Sequence, residues 1–273
     1  MGHLTRANAF RYTLGYDKES FFVITSSSFA CKIIDQRQLI IVDSSLGNEP
    51  VALCKRIEKT IKDFEITIFF IDSFPAGILG ELVHLGKLNC EIIYIARILN
   101  WQNYKSINAL DKIKFNRTYI LEHLPENQLN FIYKVSVNIE YLEIKYPPNE
   151  NAKEYLNLLA DTSKPFWLIV HSDIKEIDLL VNYANEMAEM ENLKPNMLVI
   201  SDYESTKNET GNRLMNYYPA SDFFNEADRI FTACGFNAMQ QCKNFREKHF
   251  FIPFERKFDD QFLRAINRKQ NRD

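Results

Sequence analysis

Cys234-Gly235-Phe236-Asn237-Ala238-Met239-Gln240-Gln241-Cys242 comes after an apolar run, Arg229 to Ala233, in a chain with only 8 glycines. Phe236, Met239, Cys242 and Phe245 recur every third residue, so a helix is expected after Gly235. A strand–glycine–helix turn leaves backbone N–H groups free at the helix start. Those groups and the helix dipole favour an anion such as a diphosphate, and glycine lets it come close. On the other reading Gly235 only makes a tight turn and Asn237 caps the helix.

Other residues are also chemically suggestive. His3 carries an imidazole, which exchanges a proton near neutrality. Asp72 ends the apolar run 66–72 (ITIFFID), where it could hold a hydroxyl or orient a base; alternatively Asp72 or Ser73 caps a helix beginning at Pro75. His171-Ser172-Asp173 ends another apolar run; His171 could bond a phosphate, and Ser172 or Asp173 could cap the next helix. Arg256-Lys257 could balance a diphosphate or lie on a solvated surface. No metal-ligand spacing is present, and HExxH, GxSxG and Walker patterns are missing, which argues against zincins, serine hydrolases and P-loop enzymes.

These residues need elements to position them. Short apolar runs at 21–25, 38–43, 66–72, 91–96, 167–171, 197–201, 228–234 and 249–254 suit parallel strands covered on both faces. Helical spacing appears at 50–63, through Val51, Leu53, Cys54, Ile57 and Ile61, and at 174–191. A further helix is expected from Pro75, with Gly77 and Gly80 inside it, and another from about Asp259, capped by Asp259 and packed through Phe262, Leu263 and Ile266. The polar, proline-bearing segment 145–165 reads as a linker. The fold class is α/β, with two sheets joined by that linker.

The 273 residues, 46% hydrophobic and 25% charged, suit one large or two small globular domains. A formal net charge of −3 gives no general pull on nucleic acid or anionic membrane. No apolar run reaches the ~18 residues of a spanning helix, and the first residues lack a secretory core, so the cytoplasm is the expected compartment. The 5 scattered cysteines form neither a disulfide framework nor a zinc pattern.

The stretch 227–265 resembles the carboxyl-terminal sugar-nucleotide motif of GT-B glycosyltransferases, in the branch of the N-acetylglucosaminyl transferase that completes lipid II. Gly235, Asn237, Pro253 and the Asp260-Gln261 pair carry the likeness. Gly2-His3-Leu4-Thr5-Arg6-Ala7 is similar to the Gly-His-x-x-Arg-Ala opening of that family's first domain, and 71–82 is similar to a segment of bacterial members.

The resemblance implies two Rossmann-like domains, 1–148 on the acceptor side and 149–273 on the nucleotide-sugar side, the last helix packing back on the first. It implies transfer of a hexosyl or N-acetylhexosaminyl group from a UDP-sugar to an undefined hydroxyl acceptor, without metal or other cofactor. His3 would be the base in a loop facing a cleft, and Asp72 would orient it or bind the acceptor. Gly235, Phe236, Asn237 and Ala238 would hold the diphosphate, Gln241 would take the ribose-binding place of the usual Glu, and Gln261 would lie near the donor sugar.

Relatives carry a strand and a Gly-rich turn before the Gly-His. Here the chain opens at Met1-Gly2-His3, so either the first strand is missing or the start lies upstream. A UDP-sugar hydrolase or epimerase on the same scaffold is the alternative activity; a non-catalytic subunit is the third reading. The family reading gives no nucleic-acid partner, is compatible with a peripheral membrane contact and leaves the oligomeric state undefined.

Overall fold

The computed structural model describes residues 2–27, 30–43, 49–107, 110–148, 163–202 and 213–271. The chain divides into two compact units, Met1–Tyr146 with Arg256–Asp273, and Pro147–Glu255. Residues 149–162 of the expected linker lie outside the described residues.

The first unit opens on helix α1 (Gly2–Leu14), where the sequence suggested a loop around His3. Its buried face is Leu4, Thr5, Arg6, Ala9 and Phe10, too polar a stripe to stand out as helical periodicity. Strands β1 (Val23–Thr25) and β2 (Leu39–Ile41) pair in parallel as a small sheet. Helix α2 (Pro50–Asp63) starts with proline in its first turn, where no N–H is needed, and buries Cys54, Ile57 and Ile61 as its spacing predicts.

The main sheet comes next: β3 (Ile68–Asp72), β4 (Glu91–Ala96), β5 (Phe115–Ile120) and β6 (Ser136–Tyr141), in that order and all parallel. Helices α3 (Trp101–Tyr104) and α4 (Glu126–Val135) lie in the connections after β4 and β5. In β4, Ile93, Tyr94, Ile95 and Ala96 are all buried, as expected of a strand covered on both faces. Strands β5 and β6 were not legible from apolar runs: β5 mixes Asn116, Arg117 and Thr118 into its apolar residues, and β6 is a half-exposed edge.

No helix begins at Pro75. Residues 75–80 form turns, with Gly77 at φ 80° and Gly80 at φ 79°, and then a short 3-10 turn at Glu81–His84. Tyr104 Oη accepts from Ala76 N (2.9 Å) and donates to Gly77 O (2.8 Å), while the Glu81 carboxylate accepts from Leu79 N (2.8 Å). A Cβ on Gly77 would stand 2.1 Å from the Glu81 carboxyl carbon and would displace that carboxylate from its bond to Leu79 N, and the left-handed φ itself favours glycine.

The second unit contains β7 (Phe166–Val170), α5 (Ile174–Met190), β8 (Asn196–Ile200), β9 (Arg213–Met215), β10 (Arg229–Ala233), α6 (Phe236–Gln241) and β11 (His249–Ile252). Its parallel sheet runs β11-β10-β7-β8-β9. In the central strand Trp167, Leu168 and Ile169 are buried; Trp167 and Ile169 share a core with Ile177, Leu180, Val181 and Phe231. Helix α6 has only six residues; a 3-10 segment comes after it, with non-helical geometry at Phe245, so the predicted longer helix does not form.

The chain returns to the first unit with α7 (Gln261–Lys269). Asp260, not Asp259, caps it, accepting from Leu263 N at 2.9 Å. The expected apolar packing stripe is also corrected: Phe262 and Ile266 are 49% and 50% exposed, while Gln261, Arg264, Ala265, Asn267 and Arg268 are buried. Only Leu263 of the stripe joins the hydrophobic core.

Candidate active site

In the first unit, α1 places His3 and Arg6 three residues apart on neighbouring positions of one helical face. Strand β3 delivers Asp72 to the same place. Arg6 grips Asp72 with two bonds, Nε to Oδ1 and Nη2 to Oδ2, both 2.6 Å. His3 Nδ1 stands 3.0 Å from Asp72 Oδ2. The sequence candidates His3 and Asp72 are therefore brought together.

The contacts around Arg6 and Asp72 favour one imidazole tautomer. Arg6 Nη2 lies 3.0 Å from His3 Nδ1, but its two hydrogens go to Asp72 Oδ2 (2.6 Å) and Ser73 Oγ (2.9 Å). An ionised carboxylate only accepts, so the His3–Asp72 contact is a hydrogen bond when the proton sits on Nδ1, and that tautomer leaves Nε2 with its lone pair. His3 remains 55% exposed and Asp72 26% exposed at the side chain, so the pair is open to solvent. Burial alone would raise the Asp72 carboxyl, but the Arg6 charge and the bonds from His3 and Arg6 outweigh it, holding the group well below the usual carboxylate range. Neither Asp72 nor Ser73 starts a helix.

The ionic chain continues inward. Ser73 Oγ donates to Asp72 Oδ1 (3.0 Å) and accepts from Arg97 Nε (2.7 Å). Arg97 pairs with Asp259. Arg264 Nη2 reaches Asp259 Oδ1 at 2.8 Å, and Arg264 forks onto Glu122 through Nε–Oε2 (2.8 Å) and Nη2–Oε1 (3.0 Å). Glu122 also accepts from Ile98 N at 2.7 Å. Three guanidinium groups meet three carboxylates, so the cluster balances its own charge. Burial opposes ionisation of Asp259, yet Arg264 and Arg97 bring its carboxyl down to about 2.

Arg6, Ser73, Arg97, Glu122, Asp259 and Arg264 were not identified as site residues from sequence. A signal existed: Asp72 ends β3, Arg97 directly succeeds β4, and Glu122 stands just beyond β5. A charged residue at the carboxyl end of three successive parallel strands marks the edge where ligands collect.

The nucleotide candidates lie in different units. Gln261 is buried at the start of α7 in the first unit. Gly235, Phe236, Asn237, Ala238 and Gln241 belong to the second. Gly235 is the N-cap of α6 with φ −66° and ψ 147°, so its turn does not need glycine's left-handed freedom, and Asn237 is not the cap. A Cβ added there would meet nothing within 4 Å. The Phe236 side chain is buried, whereas Asn237, Ala238 and Gln241 are partly exposed.

Sheet order locates this segment further. The chain runs β7, β8, β9 towards one edge and then crosses to β10 and β11 on the other. The β7/β10 pair is the switch point, and the loops after those strands begin at His171 and Cys234. Asp173 caps α5, accepting from Lys175 N (3.0 Å) and Glu176 N (3.2 Å). His171 Nε2 stands 2.5 Å from Glu176 Oε2, and its ring stacks on Phe254 at 5.6 Å. Among the described residues no group of three His, Cys, Asp or Glu is placed to share a metal ion, and no helix is long and apolar enough to cross a membrane.

No family model and no curated protein matches the sequence. Solved structures do. A glycosyltransferase from Rickettsia africae ESF-5 superposes with a TM-score of 0.51 at 13% identity, covering 98% of this chain and 82% of that one. The glycosyltransferase SnogD from Streptomyces nogalater gives 0.44 at 9% identity, over 98% of this chain and 81% of the other. The first likeness, with the two larger parallel sheets, defines a two-domain Rossmann-like α/β fold shared with a glycosyltransferase.

Proposed function

We propose that the chain is a glycosyltransferase, moving a hexosyl or N-acetylhexosaminyl group from a UDP-sugar to a hydroxyl acceptor. The observation that carries this reading is the His3–Asp72 pair, with Nδ1 engaged by the carboxylate and Nε2 available as a base. In the proposed step His3 Nε2 takes the acceptor proton. The acceptor oxygen bonds to the anomeric carbon as the bond from that carbon to the diphosphate oxygen breaks. Asp72 stabilises the resulting imidazolium, and UDP leaves.

In the second unit, the backbone of Gly235, Phe236, Asn237 and Ala238 is the proposed diphosphate seat. The switch-point position and the open space at Gly235 support it. The donated N–H groups would stabilise the leaving diphosphate without a metal. Gln241 is assigned to the ribose. Gln261, being buried in the first unit, is assigned no direct contact with the nucleotide. Membership of the lipid II branch rests on the sequence motifs alone.

Calorimetry with UDP tests the donor side: saturable binding is expected, and none at millimolar UDP rules out that nucleotide. A second reading, UDP-sugar hydrolysis, is favoured by the 55% exposure of His3, which gives water access to the base. Release of UDP from a UDP-sugar without an acceptor, abolished in His3→Ala, would select it.

A further inference from the structure

We propose that the closing segment of the chain, through Asp259, sets the orientation of the His3–Asp72 pair, with Arg97 and Ser73 as the relay. Asp259, Arg97 and Ser73 are then positioning residues. The consequence for catalysis rests on the reading of His3 as the base; the coupling itself does not.

Ser73 is fully buried and held at φ 67°, in the left-handed region. That conformation costs a non-glycine residue about 1–2 kcal/mol and persists only where its surroundings fix it. Here Ser73 N donates to Ile95 O at 3.0 Å, and Tyr94 Oη donates to Ser73 O at 2.9 Å. Its side-chain oxygen then joins both halves of the ionic cluster. It accepts from Arg6 Nη2 (2.9 Å) and Arg97 Nε (2.7 Å), and donates to Asp72 Oδ1 (3.0 Å). One donor and two acceptor sites are the whole capacity of a hydroxyl.

Two guanidinium groups therefore converge on one oxygen. They are compatible because each has its own carboxylate, Asp72 for Arg6 and Asp259 for Arg97. Arg97 is buried and feels both carboxylates, Asp259 more strongly than Asp72. Neutralising Asp259 leaves Asp72 as the carboxylate to compensate Arg97. Asp72 is then drawn towards two arginines, and its bond to His3 Nδ1–H weakens. Residue 259 thus acts on residue 3 through side chains, although nearly the whole sequence separates them.

The test is side-chain nitrogen NMR of the full-length chain, at a pH where the imidazole is neutral, with His3 assigned by its disappearance in His3→Ala. In the parent, Nδ1 is expected to be protonated and Nε2 bare. In Asp259→Asn the two nitrogen shifts should move towards each other, as the tautomers mix. Glu140→Gln, on an exposed ion pair with Arg117 in the same unit, is expected to leave them unchanged. A folded Asp259→Asn chain with the parent's shifts overturns the proposal, as does a parent already in the mixed or Nε2–H form. If Asp259→Asn does not fold, Ser73→Gly decides: glycine accepts φ 67° and removes the short side chain that carries the bridging hydroxyl. Converging shifts support the relay, and unchanged shifts overturn it. The readout needs no turnover, so absence of glycosyl transfer would remove the functional reading and leave this one standing.

Discussion

Replacing Arg264 with Met keeps most of the side-chain volume and removes the guanidinium from the centre of the ionic cluster. Arg264 and Glu122 are 1% and 2% exposed at the side chain. After the change Asp259 keeps Arg97, and Glu122 keeps the bond from Ile98 N, but Glu122 loses its cationic partner. Breaking a buried pair from one side costs about 3–5 kcal/mol. The surviving backbone bond places the expected loss near the lower end, at about 3 kcal/mol.

With a urea m-value of about 2 kcal/mol/M, the midpoint should fall by about 1.5 M. Urea is preferred to guanidinium, whose ions would screen the charges under study. The two tryptophans fall one in each unit, Trp101 in the first and Trp167 in the second, so a Trp167→Phe background leaves Trp101 fluorescence reporting the first unit alone. Adding Glu122→Gln to Arg264→Met removes the orphaned charge and should restore more than half of the loss. A midpoint shift below about 0.5 M for the single variant, or a double variant no better than the single, would refute the reasoning.

Other outcomes rest on the same geometry. Asp72 and Asp259 are both held below their ordinary 3.8, Asp259 at about 2, so the stability they contribute is present above about pH 4; the Asp259 share is lost as pH falls towards 2, while part of the Asp72 share persists below that, its carboxyl being held lower still. For Asp259 this amounts to roughly 2 kcal/mol, and acid titration of Trp101 fluorescence should show the loss, reduced in Asp259→Asn. Gly77→Ala combines left-handed strain with displacement of the Glu81 carboxylate and should cost about 2 kcal/mol in urea unfolding; Gly15→Ala, at φ 72° with nothing within 4 Å, should cost only the strain, about 1 kcal/mol. Gly235→Ala, with ordinary φ and open space, should leave stability unchanged within about 0.5 kcal/mol. On the proposed nucleotide reading it should weaken UDP binding at least about tenfold by calorimetry, the added methyl taking the ligand's place. His3→Ala should leave thermal unfolding nearly unchanged; on the proposed reading of His3 as the base of a UDP-sugar enzyme, it should lower turnover by roughly 10²–10⁴-fold, measured as UDP release.

The strands were legible wherever burial on both faces demanded an unbroken apolar run. Runs such as EIIYIA (91–96) and WLIVH (167–171) have few other stable places in an α/β chain, so sequence alone identified β4 and β7, to within a residue, and, from their alternation with helices, the fold class. Helix α2 was equally plain because its inward stripe is apolar. The sequence also marked His3 and Asp72 as candidates. Tertiary structure decided that they meet, and that Arg6 grips the same carboxylate that faces the imidazole. It also decided the two helices that bury polar faces. In α1 the inward residues include Arg6, and in α7 they include Arg264, Asn267 and Arg268 while Phe262 and Ile266 face outward. Periodicity cannot announce such helices, because a buried charge is tolerable only when a specific opposite charge awaits it. That partner comes from another part of the chain: Asp72 for Arg6, and Glu122 for Arg264.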